Sequence, residues 1–505
     1  MTTRFAFTLL ALSAAAQAAS PTPCEGLAAL KLVSGRVDTA QAVPAGAFQT
    51  PAGRGGGGGN ANYSSLPAFC RVSLTLTPSA DSDIKVEIWL PQTGWNGKFQ
   101  AVGNGGWTGS IGYPALSRAL QKNYATASTD TGHKGERASF ALGHPEKMID
   151  FAFRAVHEMT VQGKVVTSAF YGSGPKYSYW NGCSSGGKQG LKEAQLFPDD
   201  FDGIIAGAPA NNWIHQKAAV VNSSQTVHRD EAHDIPPAKY AVIHKAVLDK
   251  CDSLDGVKDG ILENPRACRF DPSVLECKGA DAPSCLTSAQ LDSVKKLYAP
   301  VTVPKTGEFL FPGLEPGSEL SWEVQAGKEP RTVAVDLFMY VVFKDPKWDY
   351  MTLDLNKDVA LADQSEGNMM AATNPNLKPF FAHNGKLLMY HGWADPNIMP
   401  GNSVNYYSSV LNFAGWKGTE QESIRLFMVP GMGHCSGGEG PNEFDMVKAL
   451  EDWVEGGKVP ATIPVARREK GAVVRTRPLC AYPQAAKYKG TGSTDDTANF
   501  TCAAQ

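Results

Sequence analysis

The segment KYSYWNGCSSGGKQGLKEAQLFP, residues 176–198, constrains the fold more than any other part of the chain. Residues that favour strands run into a Gly-x-Ser-x-Gly pattern centred on Ser184, and a helix-favouring stretch follows. Glycines two positions before and after a serine permit a tight strand-to-helix turn that exposes the hydroxyl. The segment therefore predicts an α/β sheet with a nucleophilic serine at the end of one strand.

Strand-like and helix-like segments alternate on both sides of this turn. Apolar runs such as IKVEIWLP, FDGIIAGAPA and GKLLMYHGW are separated by stretches with helical spacing. Between about Asn211 and Asn376 the alternation breaks, and charged residues and proline become more frequent. We therefore predict an α/β catalytic domain formed by residues 19–210 and 377–505, interrupted by an inserted domain at residues 211–376.

A serine hydroxyl needs a base within reach and an acid that orients the base. In hydrolases with this turn, the acid and then the histidine follow the serine in the chain. Asp395 comes after the strand pattern LLMYHGW, and His434 lies in the loop GMGHC after the next strand. The predicted triad is thus Ser184, Asp395 and His434. His391 precedes the acid, and both a pocket role and a structural role are open for it. We interpret His133 as a hydrogen-bonded loop residue.

An acyl-transfer site also needs N–H donors for the developing oxyanion. One donor is predicted to be the amide of Ser185, because it directly follows the nucleophile. The second is assigned to Gly106 in VGNGGWTG, with Gly105 as the alternative. An ordinary glycine turn is the competing interpretation of this loop.

The chain contains ten cysteines, at positions 24, 70, 183, 251, 268, 277, 285, 435, 480 and 502. An even number in an exported chain favours five disulfides, but counting does not assign the partners. Cys183 precedes Ser184 and Cys435 follows His434, so contact within the triad would bring these two cysteines together. Two unrelated cysteines are the alternative. Cys183 is a poor candidate nucleophile because it does not occupy the centre of the turn.

The first residues, MTTRFAFTLLALSAAAQAAS, have a basic start, an apolar centre and a small-x-small cleavage site. They predict a signal peptide over residues 1–18 and a secreted or periplasmic location. No later apolar run is long enough for a membrane span. The net charge of −3 provides no basic field for nucleic acid. Gly55–Gly59 is interpreted as part of a flexible loop.

The combination Cys183-Ser184, Asp395 and His434-Cys435 resembles the signature of the tannase/feruloyl esterase family. The resemblance covers nearly the whole mature chain. It implies an α/β-hydrolase core with a large lid inserted between the nucleophile and the acid. It also implies a Cys183–Cys435 disulfide and hydrolysis of esters of aromatic acids. Feruloyl esters are the expected substrates, with galloyl esters or mono(2-hydroxyethyl) terephthalate as alternatives and no organic cofactor.

The resemblance further implies a structural Ca²⁺ site in the lid segment CDSLDGVKDGILENPRAC, remote from the chemistry. Closely spaced hard oxygens in a glycine-containing loop suit this ion. The implied ligands are the carboxylates of Asp252, Asp255 and Asp259 and the backbone carbonyls of Val257 and Ile261. The remaining disulfides implied by the family are Cys24–Cys70, Cys251–Cys268, Cys277–Cys285 and Cys480–Cys502.

The family lid holds the aromatic ring of its substrate, and residues 337–350 are the candidate segment, with lid packing as the alternative. A terephthalate monoester would need a cation for its free carboxylate, and the candidates are Arg331 or a lysine such as Lys344. A non-catalytic, calcium-stabilised binding protein on a hydrolase scaffold is the rival of a different class. The sequence does not determine the oligomeric state.

Overall fold

The computed structural model describes residues 20–51, 63–415 and 422–504. The predicted signal peptide and Gly55–Gly59 lie outside the described residues. The first strands are β1 (Lys31–Leu32), β2 (Gly35–Val43), β3 (Phe69–Leu76), β4 (Ile84–Pro91), β5 (Lys98–Val102), β6 (Ala125–Thr129), β7 (Tyr177–Cys183) and β8 (Gly203–Gly207). The later strands are β9 (Val301–Thr302), β10 (Phe309–Phe311), β11 (Lys386–Gly392), β12 (Ile424–Val429), β13 (Thr462–Glu469), β14 (Ala472–Cys480), β15 (Gln484–Tyr488) and β16 (Phe500–Ala504).

The helices begin with α1 (Tyr113–Gln121), α2 (Pro145–Ile149), α3 (Ala155–Tyr171), α4 (Ser185–Leu196), α5 (Trp213–Val227) and α6 (Pro237–Cys251). They continue with α7 (Ser288–Tyr298), α8 (Glu323–Ala326), α9 (Thr332–Asp336), α10 (Asp358–Asp363), α11 (Lys378–Ala382), α12 (Gly401–Ala414) and α13 (Met446–Gly456). None of the described helices is both long and apolar enough to cross a membrane.

One ten-stranded sheet organises the molecule, in the order β1-β2-β3-β4-β6-β5-β7-β8-β11-β12. The strands from β6 to β12 in that order are parallel, whereas β1 to β4 are antiparallel. The parallel strands β6 and β8 are buried along their whole length, as expected for strands covered on both faces. The predicted α/β class is confirmed.

Helices cover both faces of this sheet. The apolar faces of α3, α4 and α12 pack on one side, and those of α1 and α13 pack on the other. In α13, Met446, Leu450 and Trp453 are buried at helical spacing. Because β7, β8, β11 and β12 are parallel neighbours, the loops after them meet at one edge of the sheet.

The segment between β8 and β11 folds mainly as helices α5 to α11 with the short β9–β10 hairpin. These helices share an apolar core that includes Trp213, Trp322 and Phe338, and Trp107 and Phe151 of the sheet domain pack into it. The insertion therefore sits on the sheet domain through a continuous apolar contact. The domain limits at 211 and 376 remain predictions.

Candidate active site

The turn between β7 and α4 holds Ser184 in an unusual backbone conformation, with φ 62° and ψ −123°. Its amide donates to the carbonyl of Gly207 at 2.9 Å, and its carbonyl accepts from the amide of Ala210 at 3.1 Å. The turn is so tight that a Cβ on Gly182 would lie 2.4 Å from the carbonyl oxygen of Gly186. The two glycines of the motif are thus required by close backbone approach, and the serine is held by its neighbouring strand.

Asp395 and His434 lie on the loops that follow the neighbouring parallel strands β11 and β12. His434 Nδ1 is 2.7 Å from Asp395 Oδ2, and the carboxylate is fully buried. Asp395 Oδ1 accepts from the amides of Asn397 and Ile398. Burial alone raises the pKa of Asp395, but the charge and hydrogen bond of His434, with a hydrogen bond from His391, hold it well below its usual range. The carboxylate is therefore ionised and oriented toward the histidine.

His391 is the second histidine on this carboxylate, and its ring is completely buried. Its Nε2 lies 3.0 Å from Asp395 Oδ2 and 2.9 Å from the carbonyl of Ile398. Both are acceptors, so Nε2 carries a proton; in the neutral ring Nδ1 then accepts from the Ser403 hydroxyl at 2.7 Å. The chain order of the motif excludes His391 as the base but does not reveal this contact, which depends on the turn after β11.

The Cys183–Cys435 disulfide joins the serine turn to the histidine loop, with 6.0 Å between the two Cα atoms. It brings Ser184 and His434 to the same edge of the sheet. Within the described part of the chain, the Ser184 hydroxyl makes no hydrogen bond to His434. Such contacts are often long without substrate and tighten only in the complex.

The loop after β5 places Gly106 beside the serine turn, with φ +45°. The Ser185 hydroxyl donates to the Gly106 carbonyl at 3.0 Å, which links the loop directly to the first residue of α4. A Cβ on Gly103 would lie 2.6 Å from the Cα of Gly186, so the loop and the turn are in backbone contact. The two residues predicted to supply the oxyanion amides are therefore adjacent in space.

His133 holds this loop through a hydrogen bond to its backbone. Its Nε2 donates to the carbonyl of Trp107 at 2.7 Å, and its ring stacks on Phe140 at a centroid distance of 3.8 Å. Burial lowers the pKa of His133 to about 4, so the ring is neutral at physiological pH. The structure thus makes His133 a hydrogen-bonded loop residue, as interpreted from the sequence.

The two cations considered for a substrate carboxylate are both engaged. Arg331 is largely buried, and its Nη1 donates to the carbonyl of Asn397 at 2.9 Å, beside the Asp395 loop. Lys344 pairs with Glu366 on the surface at 3.1 Å. Arg331 thus holds the loop of the orienting acid, and Lys344 lies in a solvated ion pair.

Residues 337–350 begin as a π-helical turn and contribute mostly to the lid core. The rings of Phe338, Phe343 and Trp348 pack together with centroid distances between 5.1 and 6.2 Å. Tyr340 is only half-buried. The three clustered rings favour the interpretation that this segment packs in the core of the lid.

The candidate calcium loop follows α6. Asp255, Val257, Asp259 and Ile261 line one small cavity, together with Glu263. Asp252 accepts from the amide of Gly260 at 3.1 Å, which closes the loop. Four of the five implied ligand residues therefore line one cavity, where the guanidinium of Arg477 also lies and pairs with the Asp259 carboxylate. The clustered carboxylates are of the type that Ca²⁺ binds.

The candidate calcium loop touches segments that lead to the predicted acid and base. A Cβ on Gly431, three residues before His434, would lie 3.3 Å from Ile261 Cγ2. The guanidinium of Arg266 lies 5.6 Å from the ring centre of Trp393, two residues before Asp395. The remoteness of the ion itself from the chemistry stays a prediction.

All ten cysteines are paired in the structure. Besides Cys183–Cys435, the bonds are Cys24–Cys70, Cys251–Cys268, Cys277–Cys285 and Cys480–Cys502. These are the pairs that the family resemblance implies. Five disulfides are typical of proteins from an oxidising compartment.

Comparisons of the sequence with known proteins show which family the chain resembles. Residues 70–503 match the family model described as tannase and feruloyl esterase. An uncharacterized esterase of Xanthomonas campestris pv. campestris is 38% identical over 98% of this chain and 94% of that protein. A probable feruloyl esterase B-1 of Aspergillus oryzae is 34% identical over 95% of this chain and 92% of that protein.

Solved structures show the same overall arrangement. The crystal structure of feruloyl esterase B from Aspergillus oryzae is 33% identical, with a TM-score of 0.90 over 95% of this chain and 99% of that one. Tannin acyl hydrolase from Aspergillus niger is 23% identical, with a TM-score of 0.77 over 94% of this chain and 92% of that one, and shows a similar fold.

Proposed function

This chain belongs to the tannase and feruloyl esterase family and is a carboxylic ester hydrolase, and we propose that it hydrolyses feruloyl esters through Ser184, His434 and Asp395. The observation that carries the proposal is the Asp395–His434 pair, joined to the serine turn by the Cys183–Cys435 bond. The name of the related fungal esterases supports the choice of a hydroxycinnamoyl acid.

In the proposed reaction, His434 Nε2 accepts the proton of the Ser184 hydroxyl while Ser184 Oγ attacks the ester carbonyl carbon. Asp395 holds the opposite ring nitrogen and stabilises the imidazolium that forms. The tetrahedral intermediate collapses when His434 returns the proton to the leaving alcohol, which departs and leaves an aromatic acyl-enzyme. His434 then deprotonates a water molecule, which attacks the acyl carbonyl carbon. The aromatic acid is released as Ser184 Oγ leaves and takes the proton back from His434.

The negative charge on the carbonyl oxygen is proposed to be stabilised by the amides of Ser185 and Gly106. Support comes from the Ser185–Gly106 hydrogen bond and from the backbone contact between their two segments. Because His133 fixes the carbonyl of Trp107, the next residue, these donors are held in place before substrate arrives.

A panel of methyl ferulate, methyl gallate and mono(2-hydroxyethyl) terephthalate tests the substrate. We expect the highest kcat/KM for methyl ferulate and the lowest for the terephthalate, because Arg331 and Lys344 are already engaged. Ser184→Ala should reduce turnover of every substrate by about 10⁴-fold or more while preserving the melting temperature. Turnover retained by this variant would remove Ser184 from the mechanism. A wild-type chain that is inactive on all three esters would instead favour a role as a binding protein.

We further propose that Asp252, Asp255 and Asp259, with the carbonyls of Val257 and Ile261, hold a structural Ca²⁺. The ion would bind where the carboxylates of Asp255 and Asp259 line one cavity, in which Arg477 balances only part of the negative charge. The proposed location is secreted or periplasmic, supported by the five disulfides.

A further inference from the structure

Three potential metal ligands meet at the far end of α4, away from the serine. His157 lies on α3, Glu193 on the last turns of α4, and Asp200 in the connection to β8. One ligand atom from each of the three side chains lies within 4.8 Å of the others. None of the three has a role in the proposed ester hydrolysis.

Glu193 is the unusual member of this group. It is only 1% exposed, and neither carboxylate oxygen has a hydrogen-bond donor among the described residues. Burying a carboxylate without a donor or a cation costs several kcal/mol, and native proteins avoid it. An unpartnered buried carboxylate that faces a histidine and a second carboxylate therefore points to a bound cation.

The other two side chains are already oriented. His157 Nδ1 is 2.7 Å from Asp200 Oδ2, and its ring stacks on Phe197 at a centroid distance of 3.8 Å. The side chain of His157 is 28% exposed, which gives an ion and its water access from solvent. Lys164 donates to the backbone carbonyl of Asp200, so it balances part of the negative charge without occupying either carboxylate.

We propose that His157, Glu193 and Asp200 form a divalent metal site for Zn²⁺, separate from the calcium loop. An imidazole nitrogen and two carboxylate oxygens are a ligand set that Zn²⁺ accepts in tetrahedral geometry, with water as the fourth ligand. Ca²⁺ fits poorly, because it takes six to eight oxygen ligands. The ion would join α3 to the end of the helix that begins at the nucleophile, which is a structural role.

The competing occupant of the site is a proton. Burial and the neighbouring charge of Asp200 raise the pKa of Glu193 well above its usual range, which favours the protonated carboxyl over the carboxylate when no cation is bound. A protonated Glu193 would donate to Asp200 and satisfy both groups. Zn²⁺ binding displaces that proton, and the experiment separates these two states.

The test uses the full chain, stripped with a chelator and returned to saturating Ca²⁺, then dialysed against Zn²⁺. Bound zinc is measured by atomic emission and stability by thermal melting. Wild type should retain one more equivalent of zinc than Glu193→Gln and His157→Asn, and zinc should raise its melting temperature. His383→Asn is the matched control. His383 forms an exposed pair with Asp199, the residue before Asp200, so this variant should bind zinc as wild type does.

Equal zinc content in wild type, Glu193→Gln and His157→Asn overturns the proposal and leaves the shared proton as the occupant. An unchanged melting temperature in wild type on zinc addition overturns it as well. If Glu193→Gln does not fold, His157→Asn decides alone, because His157 lies near the surface. Co²⁺ in place of Zn²⁺ should give the visible bands of a four-coordinate ion in wild type, and their absence contradicts the site. Esterase activity is not a readout, so this test is independent of the proposed function.

Discussion

Ser184 combines a strained backbone with two hydrogen bonds that hold it there. A non-glycine residue at φ 62° costs on the order of 1–3 kcal/mol, and the bonds to Gly207 and Ala210 offset part of that cost. Asp395 is the opposite case, since it is unstrained but surrounded by four donors: two histidines and two amides. Apart from His434, the groups that hold these two residues take no part in the proposed reaction.

His391 is the residue where this principle is most easily tested. We expect His391→Asn to lower kcat by about 100-fold with little change in KM, because Asp395 loses one of its fixed donors and the His434 ring loses its orientation. Ser403→Ala, which removes only the group on the other ring nitrogen, should have a smaller effect in the same direction.

Steady-state kinetics on methyl ferulate, with melting curves for each variant, measure this effect. His383→Asn is again a suitable control, since that histidine is exposed. A folded His391→Asn variant with wild-type kcat would show that the contact to Asp395 is only structural.

At the scale of elements, the loops after the parallel strands are held by other loops as well as by the sheet. The candidate calcium loop packs against the segments before Asp395 and His434 through Ile261 and Arg266. The acid loop is also held by Arg331 of the lid. Contacts outside the sheet therefore help to position the segments that carry Asp395 and His434.

We expect Asp255→Ala to remove the rise in melting temperature that Ca²⁺ gives to wild type, because it removes one carboxylate that lines the cavity. Differential scanning calorimetry with and without Ca²⁺ measures the rise. Asp271→Ala, a change at an exposed residue that caps a short helical turn nearby, should keep the full calcium response. If Asp255→Ala keeps the wild-type rise in melting temperature with Ca²⁺, Asp255 does not bind the ion.

At the scale of the whole molecule, polar bridges join the lid to the sheet domain. Arg137 binds Asp336 of the lid with Nη2–Oδ1 at 2.6 Å. His244 of α6 lies between Glu319 of the lid, 2.7 Å from Nδ1, and Glu439 of the histidine loop, 2.8 Å from Nε2. The contact between His244 Nε2 and Glu439 Oε2 does not have the angles of a hydrogen bond and is therefore an ion pair when His244 is protonated.

The His244 bridge makes the attachment of the lid dependent on pH. Burial lowers the pKa of His244, but its interactions with the carboxylates of Glu319 and Glu439 outweigh burial and raise the pKa to about 9. A raised pKa means that the stabilisation is complete below the unfolded value of about 6.5 and is lost as pH rises through about 9. The shift corresponds to at most about 3 kcal/mol.

His244→Gln should therefore melt below wild type at about pH 6.5, and the difference should shrink at about pH 9.5. Thermal melting in saturating Ca²⁺ checks this. His144→Gln is the matched control, because His144 pairs with Asp81 at the surface, where such pairs contribute less than about 1 kcal/mol. A difference that is the same at both pH values would contradict the role of His244 as a charged bridge.

Local patterns in the sequence predicted the serine turn and the strands on either side of it. They succeed because the Gly-x-Ser-x-Gly turn and the buried parallel strands are dictated by short-range sterics and by apolar periodicity. Strands β13 to β16 were not predicted. Alternate residues of β13 are exposed and its pattern is short, so only pairing with β14 establishes it.

By itself, the sequence determined the α/β class, the serine turn and, through its cysteine-flanked serine and histidine, the family. Only the tertiary structure decided that Asp395 is shared by two histidines, that the candidate calcium loop touches the segments before Asp395 and His434, and that Glu193 is buried beside His157. These contacts join residues far apart in the chain or depend on the exact path of a loop. No local pattern encodes them, because they arise when the sheet brings the ends of separate strands and helices together.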